Sequence, residues 1–481
     1  MNTPIRRLAL FTMALFGVLL LNITWIQAIQ GESLREHPFN NRQYAERLES
    51  PRGPIVIGNE QVAHSELNEE EEQYQRIYEQ GELYAHVVGT FRPTGASGIE
   101  ETENALLNGS DSRLFVRNFI DTLTGEESEG ATVNLTIAPK VQQAALNGLR
   151  NTGNNGAAVA LDPSTGAVLA SVSLPTYNPN PLVDVANEQQ AFNDFTALAE
   201  SEEQPLLNRA FQQTYPPGST FKIVTASAAL ENGATPDSTQ EAPAVLDLPQ
   251  GGSLPNAWDG PCNNGEPDTL RHSIEISCNT SMANWAIELG EQNMAEQAEG
   301  YGFNTGEMSV PVPVAESHYP RDLGGSSLGQ TGIGQFDVRA TPLQMAMVAA
   351  GVANDGDVMK PYLIDSVQGP DLSEIVGSDP DVYSEAISSS TAEDLTEMMI
   401  QVTEGDEASG PGAKINGVQV AGKTGTAEAG EGVPTHNWFI SFAPANDPEI
   451  AVAVVVENGG GSGGTVAAPI AKQMMEAVIN E

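Results

Sequence analysis

The sequence predicts an α+β fold in which one antiparallel sheet is assembled from segments that lie far apart in the chain. Two short apolar runs, Ala157–Leu161 and Ala167–Val172, flank a turn that contains Pro, Ser and Gly. Three more strand-like runs lie near the carboxyl end, at Val418–Glu428, Trp438–Ala443 and Ile450–Glu457. Helix-like segments occupy the interval between the two groups. Antiparallel strands separated by a helical region are typical of the α+β class.

The chain begins with a segment that can cross a membrane. Arg6 and Arg7 precede the apolar run Leu8–Ile29, whose length of about 22 residues is enough for a hydrocarbon core of about 30 Å. Basic residues remain on the cytoplasmic side of a membrane helix. We therefore expect residues 1–30 to be a single-pass anchor in the cell membrane, with a cytoplasmic N-terminus and everything after it outside the cytoplasm. A cleaved signal peptide is the alternative, although this run is longer than usual and lacks a small-x-small cleavage pattern.

Two regions follow the anchor. Residues 31–130 are polar and interrupted by Gly and Pro, which predicts a small membrane-proximal module with short strands and a helix near Glu70–Glu79. Residues 131–481 form the predicted catalytic domain. Besides the strands above, its expected elements are a strand at Thr132–Ile137 and helices at 139–149, Ser219–Leu230, Asp268–Leu289, 341–352 and 467–479.

The composition excludes one class of partner. The chain carries 64 acidic and 21 basic residues, a formal net charge of −43, which argues against binding nucleic acid. Such an acidic surface is either simply well solvated or adapted to high salt, where screening relieves self-repulsion. The six histidines are scattered without ligand spacing, so we expect no metal and no cofactor.

The two cysteines, Cys262 and Cys278, both lie in the part expected outside the cytoplasm. An even count in an oxidising compartment favours a disulfide. It would close a loop of about 15 residues and contribute up to about 3 kcal/mol in the chain-entropy model. Two buried free thiols are the alternative.

A first candidate catalytic motif, S-x-x-K, spans Ser219 to Lys222 at the predicted start of a helix. The positive end of the helix macrodipole favours an alkoxide developing on Ser219. Lys222 lies one turn further on the same helix face. Burial and a nearby second cation would lower the pKa of its amine enough to make it a useful base.

A second motif, S-x-N, contains Ser277 and Asn279. On a turn between helices, the hydroxyl can relay a proton, and the amide can hold both the lysine and a substrate carbonyl. Such triplets are also common in helix caps and turns, so this signal is weak by itself.

A third motif, K-T-G-T, begins at Lys423 on a predicted strand. Lys423 supplies positive charge for a carboxylate, and the hydroxyls of Thr424 and Thr426 can bind the same group. Gly425 allows close backbone approach. The backbone N–H groups of Ser219 and Thr426 are the natural pair for an oxyanion hole.

The three motifs occur in one order, with spacings of about 58 and 146 residues, in a chain that has only six lysines. Two of the six occupy the motif positions that require lysine, and no other lysine has serine three residues before it. A chance match is therefore far less probable than in a lysine-rich chain.

From Thr132 onward the chain resembles the transpeptidase domain of penicillin-binding proteins, on the strength of these motifs. Four further segments match this family: Arg52-Gly-Pro-Ile55, Gly332-Ile-Gly-Gln335, Ala340-Thr-Pro-Leu-Gln344 and Asn437-Trp-Phe-Ile-Ser-Phe-Ala-Pro444. With them, nearly the whole chain after the anchor resembles class B members, and it is most like those of actinobacteria. The resemblance implies a central five-stranded antiparallel sheet flanked by helices, with a helical subdomain.

The resemblance also implies a reaction. Ser219 would attack the carbonyl between two D-alanines of a peptidoglycan stem peptide, Lys222 would take its proton, and Ser277 would protonate the departing D-alanine. An amine of a neighbouring stem would then form a 4→3 cross-link. β-Lactams would acylate the same serine, and glycan polymerisation would come from a partner, a SEDS-family glycosyltransferase.

Other functions share these residues. A D,D-carboxypeptidase differs only in using water as acceptor, and an idle scaffold of the division machinery would not bind penicillin covalently. A β-lactamase is disfavoured, because Cys278 replaces the Asp of class A enzymes and no glutamate-bearing loop for a deacylating water is evident.

Overall fold

The N-terminal helix stands apart from the folded body. The structure, a computed structural model, describes residues 2–29, 48, 50–68, 73–92, 94–114, 130–306, 308–430 and 432–480. The helix runs from Asn2 to Ile29. Its segment Thr3–Ile26 has a mean hydropathy of 2.1 and none of it is buried by the protein, so its length and composition are those of a membrane-spanning helix.

A six-stranded sheet, here called the N-terminal sheet, draws on three parts of the chain. Its spatial order is Glu374–Gly377, Ile364–Gln368, Thr132–Leu135, Ile55–Ile57, Glu60–Asn68 and Gln73–Tyr78. The pairing of Ile55–Ile57 with Thr132–Leu135 is parallel, and the other pairings are antiparallel. The sheet therefore extends across residue 131, the predicted start of the catalytic domain.

The helix predicted near Glu70–Glu79 is wrong over residues 73–78, which form a strand. Residues 70–72 lie outside the described part. Arg76 and Tyr78 are the two fully buried members of that strand, two positions apart, and this alternation is the strand period. Both side chains donate to the buried carboxylate of Glu100, over 2.6 and 3.3 Å.

Glu100 also ties down the R-G-x-I element. Arg52 Nε donates to its carboxylate over 3.0 Å, and Arg52 Nη1 donates to Asn104 over 2.7 Å. Burial acts to raise the pKa of Glu100, but Arg76 and Arg52 outweigh it and hold that pKa below its usual value. The ion-paired cluster fixes the start of the folded body against the N-terminal sheet.

A second sheet, here called the central sheet, confirms the predicted five-stranded antiparallel arrangement. Its spatial order is Ala421–Ala427, His436–Ala443, Ile450–Val456, Gly156–Leu161 and Val168–Leu174. Distant segments thus meet side by side, as the α+β prediction requires. Ala421–Ala427, which carries the third motif, is an edge strand.

Helices cover the sheet and form the subdomain beside it. Pro139–Thr152 and Ala468–Ile479 pack on one another and on strands of the central sheet, and Pro342–Ala353, apolar except for Gln344, packs on three of its strands. The helical subdomain contains helices that pack on each other: Lys222–Glu231, Leu270–Glu275, Asn279–Gly300, Gly325–Thr331 and Ser389–Glu404. The last of them also packs on the edge strand Ala421–Ala427.

The remaining elements are short. The other helices are Gly81–Val88, Ile99–Thr102, Asn104–Leu107, Glu188–Ala199 and Gly463–Val466, and the 3₁₀ turns are Ser112–Leu114, Asn180–Val183, Gly218–Phe221, Asn263–Gly265 and Pro411–Ala413. The other strands form two-stranded ribbons: Phe91–Arg92 with Gly95–Ala96, Thr239–Gln240 with Asp268–Thr269, Val245–Asp247 with Ser253–Pro255, Met308–Ser309 with Pro313–Val314, and Asp357–Met359 with Val382–Glu385.

Candidate active site

One cavity brings the three sequence motifs together. Its volume is about 980 Å³, and it lies between the helical subdomain and the edge strand of the central sheet. Five of the predicted site residues line it: Ser219, Ser277, Asn279, Thr424 and Thr426. Lys222 and Lys423 are fully buried behind them.

Ser219 lies on a 3₁₀ turn, Gly218–Phe221, that leads into the α-helix Lys222–Glu231. The predicted α-helix from Ser219 thus begins three residues later, after a tighter first turn. Within the described part of the chain the Ser219 hydroxyl makes no hydrogen bond, and it faces the cavity. It is therefore free to meet a substrate.

Two glycines explain how this turn is placed. Gly218 has a φ of 54°, and its N–H donates to the carbonyl of Gly334 over 3.0 Å. A Cβ on Gly218 would lie 2.7 Å from the Thr426 oxygen, and one on Gly334 would lie 2.2 Å from the Gly218 oxygen. The turn is thus held between the third motif and the G-I-G-Q segment, both by direct backbone contact.

Lys222 points its amine at the second motif. Its Nζ donates to the Ser277 carbonyl over 2.7 Å, to Asn279 Oδ1 over 2.8 Å and to Ser277 Oγ over 3.3 Å. Burial, and secondarily the nearby Lys423, lower the pKa of Lys222 well below that of an ordinary lysine. The lowered pKa favours the neutral amine, which is the form that can accept a proton.

Lys423 approaches the same hydroxyl from the sheet. Its Nζ donates to Ser277 Oγ over 2.8 Å and to the Thr424 carbonyl over 2.9 Å. Burial lowers the pKa of Lys423 to about 7. The Ser277 hydroxyl therefore accepts from two amines of lowered pKa, and it can pass a proton between the cavity and either of them.

Ser277 lies where the predicted helix Asp268–Leu289 is interrupted. The structure has two helices there, Leu270–Glu275 and Asn279–Gly300, and Ser277 between them has a φ of 62°. A non-glycine residue in this region is strained and needs support from its surroundings. Cys278, the next residue, is joined to Cys262 by a disulfide across a separation of 16 residues.

Asn256 is a site residue that the sequence analysis missed. Its Oδ1 accepts from the backbone N–H groups of Asn279 and Thr280, over 3.0 and 3.2 Å, and so caps the helix Asn279–Gly300. Its Nδ2 donates to the carbonyls of Pro243 and Gly260, over 3.2 and 3.0 Å. The cap comes from a segment more than twenty residues away, so no local cap pattern marks it.

The third motif lines the cavity from the edge of the central sheet. An edge strand leaves alternate N–H groups without a strand partner, which is what an oxyanion hole at Thr426 needs, and Thr426 is the one exposed residue of this strand. A Cβ on Gly425 would lie 2.8 Å from Trp438 Cβ and 2.9 Å from Thr220 Cγ2. Glycine there lets the strand lie against the turn that carries Ser219.

The part of the chain that the structure describes has one cluster of potential metal-ligand types. It consists of Cys262, Asp268 and Cys278, but both sulfurs belong to the disulfide and offer no thiolate. The two ring nitrogens of His272 hydrogen-bond to the carboxylates of Asp268 and Glu407 over 2.6 and 2.8 Å, so this histidine links separate elements.

Comparison with known proteins decides the family. The model of the penicillin binding protein transpeptidase domain matches residues 156–476, and that of the penicillin binding protein A dimerisation domain matches residues 52–133. The chain belongs to the penicillin-binding protein transpeptidase family. This confirms the resemblance stated above for class B members.

Relatives match over full length. The chain is 40% identical to the peptidoglycan D,D-transpeptidase PbpA of Mycolicibacterium smegmatis, over 100% of both proteins, and 39% identical to PbpA of Mycobacterium tuberculosis, over 100% of this chain and 99% of the relative. The solved penicillin G acyl-enzyme complex of penicillin-binding protein A from M. tuberculosis superimposes with a TM-score of 0.85 at 38% identity, covering 89% of this chain and 100% of that one.

Proposed function

We propose that this chain is a membrane-anchored peptidoglycan D,D-transpeptidase that works through an acyl-enzyme on Ser219 and is inhibited covalently by β-lactams. The observation that carries the proposal is the pair of buried amines, Lys222 and Lys423, that donate to one hydroxyl, Ser277 Oγ, at the wall of the cavity that Ser219 also lines. The relatives named as D,D-transpeptidases and the penicillin G acyl-enzyme complex support it.

Acylation begins at Ser219. Its Oγ attacks the carbonyl between two D-alanines, and the neutral amine of Lys222 accepts the hydroxyl proton. The tetrahedral oxyanion is bound by the backbone N–H groups of Ser219 and Thr426. When the C–N bond breaks, Ser277 delivers a proton to the departing D-alanine nitrogen and is itself reprotonated by a lysine.

The other motif residues bind and position. Asn279 holds the Lys222 amine through its Oδ1, and its Nδ2 donates to the Pro255 carbonyl over 3.0 Å, which leaves one amide N–H for the substrate backbone. Lys423 and the hydroxyls of Thr424 and Thr426 receive the terminal carboxylate, while Gly425 keeps that strand close to Ser219. Deacylation reverses the sequence. An amine of a second stem loses its proton to the lysine pair and attacks the ester carbonyl. The bond from that carbonyl to Ser219 Oγ then breaks, Ser219 takes back a proton from Lys222, and the new amide is the cross-link.

The test is covalent labelling by a fluorescent penicillin. We expect persistent label on the wild type and none on Ser219→Ala. A matched control is Ser253→Ala, because Ser253 also lines the cavity and has no role in the proposed chemistry, so its label should persist. Absence of label on folded wild type would contradict the proposal and favour the idle scaffold. Rapid loss of label with penicillin turnover would indicate a β-lactamase.

The identity of the acceptor distinguishes a transpeptidase from a D,D-carboxypeptidase. With a D-Ala-D-Ala donor peptide and an added amine acceptor, a transpeptidase gives the amide product at the expense of the hydrolysed one. A D,D-carboxypeptidase gives hydrolysed peptide whether or not the amine is present. The product ratio, measured by mass spectrometry, distinguishes the two.

Topology and partner belong to the same proposal. Arg6 and Arg7 orient the helix with a cytoplasmic N-terminus, which divides the chain into an anchor at 1–30, a membrane-proximal module at 31–130 and a transpeptidase domain at 131–481. The matched family domains at 52–133 and 156–476 include no glycosyltransferase, which supports a SEDS-family partner for glycan polymerisation. Protease protection in oriented vesicles tests the first point, and co-purification with such a polymerase tests the second.

A further inference from the structure

One cationic side chain outside the three motifs, Arg339, lines the cavity. Among the described residues that line the cavity, Arg339 is the one Arg or Lys, and Glu428 is the one carboxylate. The chain as a whole has 64 acidic and 21 basic residues. An arginine at the cavity therefore stands against a strongly negative background, which repels any anionic substrate.

Arg339 is held from both sides by backbone hydrogen bonds. Its N–H donates to the His318 carbonyl over 2.9 Å, and its own carbonyl accepts from His318 over 2.7 Å. The next residue, Ala340, exchanges two bonds of 2.9 Å with Tyr215, four residues before Ser219. The position of Arg339 relative to the nucleophile is thus set by paired backbone rather than by a free loop.

The guanidinium group is positioned but not saturated. Its Nη1 donates to the Val338 and Phe336 carbonyls, over 2.9 and 3.3 Å. Within the described part of the chain its Nε and Nη2 donate no hydrogen bond, and its one ionic neighbour, Asp337, lies 3.7 Å away and is 61% exposed. A pair at that distance and exposure is weak. Three of the five N–H donors therefore remain for a ligand.

The lysines of the motifs lie behind the cavity surface and do not line it themselves. Lys222 and Lys423 are fully buried and already donate to Ser277, Asn279 and Thr424. Burial also lowers the pKa of both amines. Arg339, whose side chain is 37% exposed, presents its guanidinium group directly to the cavity.

We infer that Arg339 binds a carboxylate on the acyl side of the donor substrate and makes the enzyme prefer donors that carry a free carboxylate there over amidated ones. This inference rests on the proposed transpeptidase function. The terminal carboxylate, on the leaving side of the scissile bond, is received by Lys423 and the threonines of the edge strand. Arg339 lies on a separate segment of the wall, and its planar fork matches a second carboxylate.

Two penicillins that differ by one group test the inference. Carbenicillin is benzylpenicillin with a carboxylate added to the acyl side chain. The second-order rate constant of acylation is measured for both compounds with the wild type and with Arg339→Gln and Arg339→Lys. We expect the carbenicillin-to-benzylpenicillin ratio to fall about tenfold in Arg339→Gln and less in Arg339→Lys, since one partly exposed charged pair is lost.

A charge-matched control separates local binding from the general field. Arg321→Gln removes the same charge from an arginine that does not line the cavity, and we expect its ratio to equal that of the wild type. An unchanged ratio in Arg339→Gln, or an equal fall in Arg321→Gln, would overturn the inference. If Arg339→Gln lowered the acylation rate constant equally for both penicillins, the inference would also be overturned, because Arg339 would then bind the carboxylate that both compounds share. Absence of acylation by either compound in the wild type would instead refute the transpeptidase proposal itself.

Discussion

Removing the Asn256 side chain should weaken both the fold and the reaction. Asn256→Ala deprives the N–H groups of Asn279 and Thr280 of their acceptor and the carbonyls of Pro243 and Gly260 of a donor. All four contacts lie at a residue that is only 6% exposed. At somewhat under 1 kcal/mol for each bond, the loss is about 3 kcal/mol, or about 4 °C in melting temperature for a domain of roughly 350 residues.

The same substitution should slow acylation. The cap fixes the first turn of the helix Asn279–Gly300, and Asn279 Oδ1 holds the Lys222 amine. A displacement of the order of 1 Å at a positioned group costs up to about a hundredfold in rate. We expect the rate constant of penicillin acylation to fall between about tenfold and a hundredfold, measured by stopped-flow fluorescence beside a thermal melt.

Asn284→Ala is the matched control, because Asn284 lies on the same helix and donates one exposed hydrogen bond, to the Glu241 carbonyl over 2.8 Å. It should cost about 0.5 kcal/mol and leave acylation unchanged. The reasoning about Asn256 is refuted if Asn256→Ala melts within about 1 °C of the wild type and acylates at the wild-type rate, or if Asn284→Ala loses as much activity.

Three further outcomes follow from the site. The limiting rate of acylation by benzylpenicillin should rise with pH and level off well below pH 10, because the pKa of Lys222 is lowered. The apparent affinity for benzylpenicillin should weaken above about pH 7, because Lys423 loses its charge there. Gly425→Ala should destabilise the protein by about 1–3 kcal/mol and slow acylation, because its Cβ would lie 2.8 Å from a neighbouring side chain. The double variant Cys262→Ala, Cys278→Ala should lose about 3 kcal/mol of stability, seen as a lower melting temperature.

Each of these outcomes has a control. For the pH profile it is penicillin hydrolysis in buffer alone, and a rate still climbing at pH 10 would contradict a lowered pKa of Lys222. The control for Gly425→Ala is Gly260→Ala, whose Cβ would meet nothing closer than 3.5 Å. Equal losses of stability and of acylation rate in the two variants would contradict a steric clash at Gly425. For the disulfide, a reductant should lower the melting temperature of the wild type and leave the double variant unaffected.

Local patterns in the sequence were sufficient for most of the central sheet. The apolar runs ending at Leu161 and Val172 lie in neighbouring antiparallel strands, since continuous apolar runs bounded by turn residues are a local signal. The expected lowering of the pKa of Lys222 could also be stated from motif and setting alone, because it needs only burial and a second lysine.

Contacts between distant segments could not be predicted in the same way. The strand Gln73–Tyr78 was mistaken for a helix because its two inward side chains, Arg76 and Tyr78, are polar enough to hide the alternation, and their partner Glu100 lies more than twenty residues away. Asn256 and Arg339 belong to the cavity because of loop positions that no periodicity encodes. The turn that begins at Gly218 is a 3₁₀ turn and contacts Gly334 and Thr426. Both contacts are with residues far away in the sequence, so no local pattern predicts them.

The N-terminal sheet has a consequence for chimeric proteins. The strand Ile55–Ile57 pairs directly with Thr132–Leu135, which pairs with Ile364–Gln368 from the middle of the catalytic region. The membrane-proximal and catalytic regions are therefore joined by a ladder of backbone hydrogen bonds. Because both regions contribute strands to this one sheet, an exchange of the membrane-proximal region between relatives would have to carry the strands at residues 364–377 with it.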